Sequence, residues 1–404
     1  MTATASSTPT VQRPTSVDEA AKVLREGGGS VLFRGTGTKM SWASRPRDPD
    51  LVLETGGLDR LLDHNPADMT ASAQAGMPLR VLQERLGEAG QWLALDPPTE
   101  PDGATLGGLL ATGDSGPRRL RYGALRDLVI GVTLVLPDGT VARAGGHVIK
   151  NVAGYDLSKL MYGSLGTLGL IAEVVLRLHP LPETSATVVA ASTVQEATAR
   201  SVDLLASPLA PTAIDWVGDP RGSSGRLAVR FEGSAAGVAA QTTALRKRLE
   251  ATEVLVDTDE AALWRENANA HHAESEQSTA FAGTLPTRLT DVAAALAKAG
   301  DAAGVDVSLA SQSALGLHTA RFSGPPAQQA AAFDQWRREV LAIGGTVLLR
   351  QRPAEVDAGV DPLGPAPSTV ASFAPSRPGL IPTAAAPLAA LPLGCDHPDP
   401  GVRR

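Results

Sequence analysis

The sequence predicts an α+β protein of two domains, and three observations carry this prediction. A chain of 404 residues is too long for one ordinary hydrophobic core. Short apolar runs of strand length lie among longer segments with the apolar spacing of helices. After residue 183 the composition shifts toward Ala, Thr and Val, just beyond the punctuation Pro180-Leu181-Pro182. We therefore expect the boundary between the two domains at 182/183.

The first domain, residues 14–182, is expected to begin with a helix. Ser16 is a suitable cap, Asp18 lies in the expected first turn, and glycines 27–29 supply a stop. The other elements predicted in this domain are strands at 31–33, 51–53, 127–136 and 170–178, a helix at 79–87 and a hairpin turn at 137–140.

The second domain, residues 183–355, shows an α+β pattern of its own. Its predicted elements are helices at 194–205, 238–249 and 289–299 and strands at 227–231, 305–309 and 346–349. The Ser/Thr-rich residues 1–13 are expected to form a disordered lead-in rather than a signal peptide. Periodicity fades after Arg350, so residues 356–404 are expected to form a poorly ordered Pro/Ala-rich tail.

Composition argues against several classes of function. A net charge of -7 and an aromatic content of 3% do not suit a nucleic-acid-binding surface. No apolar run of about 20 residues could span a bilayer. The single cysteine, Cys395, can form no intramolecular disulfide and cannot ligate an iron–sulfur cluster, so any such cluster would belong to another chain. We expect a cytoplasmic protein whose membrane contacts, if it has them, come through partners.

Glycine-rich segments are the strongest functional signal in the chain. They read RGTGTK at 34–39, ATLGG at 104–108 with Ser115-Gly116 beyond it, and GSLGTLG at 163–169. Glycines let backbone N–H groups approach a ligand closely, and successive N–H groups form anion-binding nests. Any one of these segments could be a structural turn. Together, in this order, they predict a long cofactor threaded through the first domain.

The first of these loops does not fit a Rossmann dinucleotide site. The Rossmann fingerprint requires a third glycine three positions after the second, and position 40 is Met. The residues that follow, 41–46, are not expected to form the helix that a Rossmann fold places there.

Taken in order, RGTGT, ATLGG, SGPRRLRYG and GYDLSKLMYGSLGTLG resemble the FAD-binding domain of the vanillyl-alcohol-oxidase superfamily. The segments VIKNVAGYDLSKL and SGPRRLRYG are most similar to the smaller FAD-binding chain of bacterial glycolate oxidases. The resemblance is close over residues 14–182 and looser to about residue 365. It implies a PCMH-type FAD-binding domain of two α/β subdomains, followed by a smaller, cap-like α+β domain.

The resemblance also implies roles for individual positions. Residues 35–39 match the loop that holds the FAD pyrophosphate, 96–105 and 112–116 match segments along the cofactor, and 166–171 match the segment that closes on it. Thr38 stands where some relatives attach the flavin covalently to histidine, so FAD is expected to be non-covalent. The implied cofactor-binding residues are Arg34, Gly35, Thr36, Gly37, Thr38, Lys39, Asp96, Thr105, Gly107, Thr112, Gly113, Ser115, Gly116, Gly166, Thr167, Leu168, Gly169 and Ile171.

The chain departs from its relatives in the second domain. Relatives that oxidise 2-hydroxy acids carry a histidine-rich metal motif there, whereas His271-His272 lies in a segment without that pattern. We therefore predict no metal. The resemblance implies a partner subunit with a second FAD and an iron–sulfur subunit, with glycolate or a similar 2-hydroxy acid as substrate. Two alternatives stay open: an independent FAD-dependent oxidoreductase of a small alcohol or hydroxy acid, and a non-catalytic scaffold with the same fold.

Some residues allow more than one interpretation. Arg118, Arg119 and Arg121 could balance phosphate charge, bind a carboxylate, pair with a partner chain or form a solvated basic face. Lys150 and Asn151 could contact the flavin or cap the next helix, while Tyr155 and Tyr162 are expected to pack rather than to take part in redox chemistry. The loss of periodicity after about Ser368 suggests a frameshifted C-terminus, which resequencing of the coding DNA would test.

Overall fold

The computed structural model of the chain describes residues 8–45, 48–146, 156–222, 224–249 and 253–364. The described residues lie within one compact unit, Met1–Pro365. Lys150, Asn151, Tyr155, Cys395 and the proposed frameshift beyond Ser368 lie outside the described residues. The domain boundaries at 13/14, 182/183 and 355/356 stay predictions.

The first half of the chain forms two principal sheets. Its strands are β1 Thr10–Gln12, β2 Val31–Arg34, β3 Leu51–Glu54, β4 Leu61–Asn65, β5 Thr70–Gln74, β6 Gln91–Trp92, β7 Val129–Val135, β8 Val141–Gly145, β9 Leu170–Arg177 and β10 His179–Pro180. Its helices are α1 Val17–Glu26, α2 Leu79–Gly87, α3 Leu106–Thr112, α4 Arg119–Tyr122, α5 Leu125–Leu128 and α6 Leu157–Met161. Strands β1, β3 and β2 form a parallel sheet, and a five-stranded antiparallel sheet has the order β4-β5-β9-β7-β8.

Two helices of this half owe their bounds to local chemistry. The Ser16 hydroxyl caps α1 by accepting the Glu19 amide at 3.1 Å, as the sequence predicts. The Thr105 hydroxyl caps α3 by accepting the Gly108 amide at 3.2 Å. Gly113 ends α3 in the left-handed conformation, with φ of 67°, which glycine adopts without a steric penalty. These two ends fix the loops on either side of α3.

The second half forms one large antiparallel sheet with the order β14-β11-β13-β12-β16-β17-β15-β18. Its strands are β11 Thr184–Ala191, β12 Ala213–Gly218, β13 Gly225–Gly233, β14 Glu253–Leu255, β15 Gln277–Gly283, β16 Asp306–Gln312, β17 Leu317–Ser323 and β18 Thr346–Leu349. Its helices are α7 Val194–Leu205, α8 Ala235–Leu249, α9 Asp257–Ala270, α10 Leu289–Ala303 and α11 Pro326–Ala342.

The two faces of this eight-stranded sheet have different chemistry because successive strand residues point to opposite faces. On one face, Trp216, Phe231 and Phe322 join Phe333 and Trp336 of α11 in a continuous apolar core. On the other face, polar side chains contact α9 and segments of the first half of the chain. We call these the apolar face and the polar face.

Most of the predicted elements are present, and the exceptions have physical reasons. The helix at 79–87 and the turn between β7 and β8 are confirmed. The strand predicted over 127–136 starts two residues late, because Asp127 belongs to α5 and its carboxylate accepts the Ala124 amide at 2.9 Å. The lead-in prediction is wrong for β1, which pairs with β3.

The prediction of a poorly ordered segment from residue 356 is wrong as far as residue 364, the last residue that the structure describes. A short 3₁₀ helix, Ala354–Ala358, buries Val356 completely. Asp357 pairs with both Arg45 and Arg352. These contacts do not depend on periodicity, so the sequence pattern does not reveal them.

Candidate functional site

The loop after β2 lies directly against the start of α3. A Cβ atom at position 35 would lie 2.6 Å from the Thr105 hydroxyl oxygen, so only glycine fits there without a shift. The Thr36 hydroxyl donates to the carbonyl of Gly103 at 2.9 Å. The first and second glycine-rich segments therefore meet, as the sequence predicts for a shared ligand.

Lys39 connects the same two segments through a buried polar chain. Its side chain is only 9% exposed, and its ammonium group donates to the Thr38 and Thr99 hydroxyls, each at 3.0 Å. The Thr99 hydroxyl in turn donates to Asp114 at 2.5 Å. Burial lowers the pKa of Lys39 to about 8, and the Asp114 carboxylate acts in the opposite direction. A cation is thus held under the loop, close to where an anion could bind.

The third glycine-rich segment joins the other two through α3. The amides of Gly163 and Leu165 donate to the carbonyls of Leu110 and Ala111, at 3.0 and 2.7 Å. The Tyr162 hydroxyl donates to the carbonyl of Gly113 at 3.0 Å. This contact agrees with the packing role expected of Tyr162. The three segments predicted from sequence therefore converge, and we call residues 35–39, 99–116 and 162–168 together the loop cluster.

Backbone amides in the loop cluster are left without protein acceptors. Among the described residues, no acceptor takes the amides of residues 36–39, of residues 114–116, or of Gly166 and Leu168. The hydroxyls of Ser115 and Ser164 are buried and also lack a partner. Because buried backbone and hydroxyl donors are nearly always satisfied, these groups are available to a ligand. Three sets of donors beside one buried ammonium suit a long ligand that carries phosphate groups.

Several residues of the predicted site already have partners within the protein. The Gly107 amide donates to the carbonyl of Ala75 at 2.7 Å, and the Arg34 guanidinium pairs with Glu54 at 2.5 Å. The side chain of Ile171 lies in the apolar core. Other members of the predicted set have similar internal contacts: Thr112 with Gly108, Thr167 with Ser164, Gly116 against Asp96 and Gly169 against Val135. Their roles at a cofactor stay predictions.

Asp96 belongs to a charged cluster that joins the loop cluster to the polar face. Burial raises its pKa to about 6, while the neighbouring Arg118 guanidinium opposes this shift. Arg118 forms a two-pronged ion pair with Glu232 of β13, at 2.7 and 3.0 Å, and lies over the Trp92 ring. Of the roles open to Arg118, a pairing within its own chain is thus the one that the structure contains.

The histidine pair is divided between two environments. The Nδ1 atom of His271 is 2.8 Å from the Thr319 hydroxyl, and its Nε2 atom is 3.8 Å from Asp215. His272 instead contacts the carbonyl of Pro98 and lies 3.7 Å from Asp102. Within the described part of the chain, no group of three or more His, Cys, Asp or Glu side chains is placed to hold a metal ion.

Sequence reasoning missed Arg350, a buried cation beside the loop cluster. Its guanidinium lies between the rings of Trp42 and Phe281, 4.0 and 4.1 Å from their centroids. Nothing around position 350 marks it in the sequence, because it follows an ordinary strand far along the chain from the glycine-rich segments. Sequence reasoning also missed Thr99 and Asp114, although both lie inside segments assigned to the cofactor.

Comparison with known families identifies what this cluster holds. Residues 9–145 match a family model described as an FAD binding domain. This region is an FAD-binding domain. FAD is therefore the cofactor, and the unpaired amides of the loop cluster are donors of the kind that its two phosphates require.

The curated relatives are flavin-linked oxidoreductases. Glycolate oxidase subunit GlcD of Bacillus subtilis is 33% identical over 211 residues, which are 51% of this chain and 45% of that protein. Glycolate oxidase subunit GlcE of Escherichia coli is 38% identical over 149 residues, 37% of this chain and 43% of that one. D-lactate dehydrogenase of Archaeoglobus fulgidus is 34% identical over 173 residues, 42% and 38% of the two chains. The matches span less than half the length of these relatives.

Solved structures show how far the likeness of fold extends. An alkyldihydroxyacetonephosphate synthase aligns with a TM-score of 0.66 at 19% identity, over 83% of this chain and 72% of that one. The structure of FgChi7B aligns with a TM-score of 0.64 at 15% identity, over 83% and 81% of the two chains. At these identities the likeness concerns the fold alone. The architecture is a mixed helix-and-sheet fold with a PCMH-type FAD-binding domain, as the sequence predicts, and none of the described helices is long and apolar enough to cross a membrane.

Proposed function

We propose that this chain is an FAD-binding subunit of a glycolate-oxidase-type dehydrogenase complex. In this role it supports oxidation of glycolate or a similar 2-hydroxy acid and electron transfer through FAD. The relatives named glycolate oxidase subunits and D-lactate dehydrogenase support this choice of reaction class. The observation that carries the proposal is the convergence of three sets of unpaired amides on one buried cation.

The residues of the loop cluster have distinct roles in this proposal. The amides of residues 36–39 hold the phosphates, with the Lys39 ammonium beneath them as the balancing charge. The amides of residues 114–116 and those of Gly166 and Leu168 hold the rest of the cofactor from either side of α3. When bound, FAD supplies a two-electron acceptor for the substrate, while the protein positions it and excludes water. Thr38 cannot form a covalent bond to the flavin, so the cofactor is released when the protein unfolds.

We also propose partners, because one chain does not complete this kind of electron path. The names of the relatives as subunits GlcD and GlcE indicate assembly with other chains. The partners proposed are a second FAD-binding subunit and an iron–sulfur subunit, since this chain has one cysteine and a cluster commonly uses four. Such a complex would work in the cytoplasm, with its partners providing contact with the inner face of the membrane.

The first experiment is an absorbance spectrum of the purified chain, followed by acid denaturation. We expect a yellow protein with flavin absorbance whose cofactor appears entirely in the supernatant. Colourless protein that does not take up added FAD would contradict the proposal and favour the scaffold alternative. Flavin that stays with the precipitate would contradict non-covalent attachment.

A pair of glycine variants tests the loop cluster itself. In Gly35→Ala the new Cβ meets the Thr105 hydroxyl at 2.6 Å, so the loop must shift, and we expect FAD affinity to fall about tenfold or more. In Gly87→Ala the new Cβ has open space, so affinity should be unchanged. Equal FAD affinity for the two variants, measured by titration of correctly folded protein, would argue against a cofactor role for the loop.

A specific observation also favours an independent FAD-dependent oxidoreductase as the second candidate. Arg350 places a buried cation beside the loop cluster, on this chain alone. A subunit that only relays electrons has no need of its own site for an anionic substrate. Reduction of the flavin in the isolated chain by a 2-hydroxy acid would favour this candidate, and reduction only in the presence of partner subunits would favour the first.

A further inference from the structure

Arg350 is a buried cation without a hydrogen-bond partner. The residue is 7% exposed, and its Nε atom is buried with no acceptor. Among the described residues, its side chain also makes no salt bridge and no other hydrogen bond. Buried guanidinium groups are ordinarily paired, because removing a charge from water without compensation is costly.

The other strongly buried arginines of the structure follow that rule. Arg230 pairs with Glu260 at 3.1 Å, and Arg352 pairs with Asp357 at 2.5 Å. Arg337 pairs with Asp334 at 2.7 Å. Arg350 thus differs from arginines in the same half of the chain with comparable burial.

The surroundings of Arg350 leave only one direction open for a ligand. Trp42 covers one face of the guanidinium and Phe281 covers another part of its surface, at 4.0 and 4.1 Å. These aromatic contacts stabilise a cation but accept none of its N–H bonds. The N–H edge therefore remains for a planar anion that can accept two parallel hydrogen bonds.

Electrostatics place this edge beside the cofactor domain. Burial lowers the pKa of Arg350 to about 10, so the group is charged at neutral pH, and Asp114 and Tyr162 of the loop cluster oppose this shift. Trp42 follows the Gly35 loop along the chain and belongs to the same half. The cation thus lies where the polar face of the sheet meets the loop cluster.

We propose that Arg350 is the anion-binding residue of this cleft and that it takes a planar anionic group, the carboxylate of a small organic acid. The inference rests on the proposed function, which brings such an acid to the flavin. The negative edge of a reduced flavin offers the same chemistry, and two different probes distinguish the two sources.

The test compares Arg350→Met and Arg350→Lys with the control Arg338→Met, which changes a highly exposed arginine on α11. Oxalate serves as the carboxylate probe, with binding followed by thermal shift of the purified chain and by perturbation of the flavin spectrum. Sulfite serves as the second probe, because its adduct with flavin responds to positive charge close to the flavin ring. Thermal shift by oxalate does not require bound FAD, so this test can succeed even if the proposed cofactor role fails.

We expect oxalate affinity to fall about tenfold or more in Arg350→Met, to fall less in Arg350→Lys, which keeps the charge but loses the fork, and to be unchanged in Arg338→Met. Loss of sulfite affinity with unchanged oxalate affinity would assign the anion to the flavin instead of a free carboxylate. Unchanged affinity for both probes in Arg350→Met would overturn the proposal. The cofactor-free Arg350→Met chain should melt no lower than wild type, because the variant removes an unpaired buried charge; a lower melting temperature would instead assign Arg350 a structural role.

Discussion

The two faces of the eight-stranded sheet are both buried, yet their side chains are satisfied to different degrees. On the apolar face, aromatic rings from the sheet and α11 pack edge to face, as Phe322 does against Phe333 and Trp336. On the polar face, buried polar atoms without partners recur, including those of Asp215, Thr279 and Gln312. The difference teaches that one face stabilises the fold, while the other keeps polar groups available for binding.

The largest expected effect comes from breaking the apolar face. Phe333 is fully buried, and truncating it in Phe333→Ala leaves a large cavity between α11 and the sheet. We expect a loss of about 3–5 kcal/mol in the free energy of unfolding. Chemical denaturation of the purified chain measures this loss. A loss below about 1 kcal/mol would show that the apolar face does not carry the stability assigned to it here.

A pH effect of intermediate size is expected from the buried cation of the loop cluster. Burial holds the pKa of Lys39 at about 8 in the folded chain, below its value in the unfolded chain. The unfolded state therefore binds more protons between about pH 8 and 10.5, so the free energy of unfolding should rise across that window, by an amount on the order of 2 kcal/mol.

The variant Lys39→Met isolates this contribution from other groups that titrate at high pH. Denaturation curves of the two cofactor-free proteins are compared at several pH values between about 7 and 10.5, a range that brackets the folded and unfolded pKa values of the ammonium group. The wild-type chain should gain stability relative to Lys39→Met as the pH rises. A constant difference between the two proteins would mean that the ammonium group is not destabilised by burial.

The smallest and sharpest effect compares two neighbours on β15 that face opposite sides of the sheet. The Ser278 hydroxyl donates to Gln329 at 2.5 Å, so Ser278→Ala leaves a buried amide oxygen unpaired and should cost about 1–2 kcal/mol. The Thr279 hydroxyl is buried without a partner, so Thr279→Val should be neutral within about 0.5 kcal/mol. Thermal denaturation of both variants would reverse the comparison if Thr279→Val proved the more damaging.

Sequence patterns predict the elements that bury one apolar stripe or run, and they fail where buried groups are polar. Helix α2 shows the spacing of Leu79, Leu82 and Leu86 and is confirmed. The pattern does not reveal helix α9, because its buried positions include Glu260 and Asn267, which are typical of surface residues. Its contacts with the sheet depend on hydrogen bonds, such as that from Asn267 to Asp215, rather than on apolar area.

The same contrast holds within the candidate site. Glycine-rich segments are visible in sequence because a close approach restricts the residue type, as Thr105 does at Gly35. Arg350 and Asp114 are not visible, since their importance comes from burial beside groups far away in the chain. The sequence therefore predicts the backbone of the site but not the charges that surround it.

The central claim is that the unpaired amides of residues 36–39, of residues 114–116, and of Gly166 and Leu168 bind one FAD molecule. Hydrogen–deuterium exchange of the cofactor-free chain, with and without added FAD, tests it most directly. The account predicts slower exchange in peptides that cover all three sets of amides, and no change over the remote helix α8. Slower exchange in none of the three, or equal slowing at α8, would contradict it.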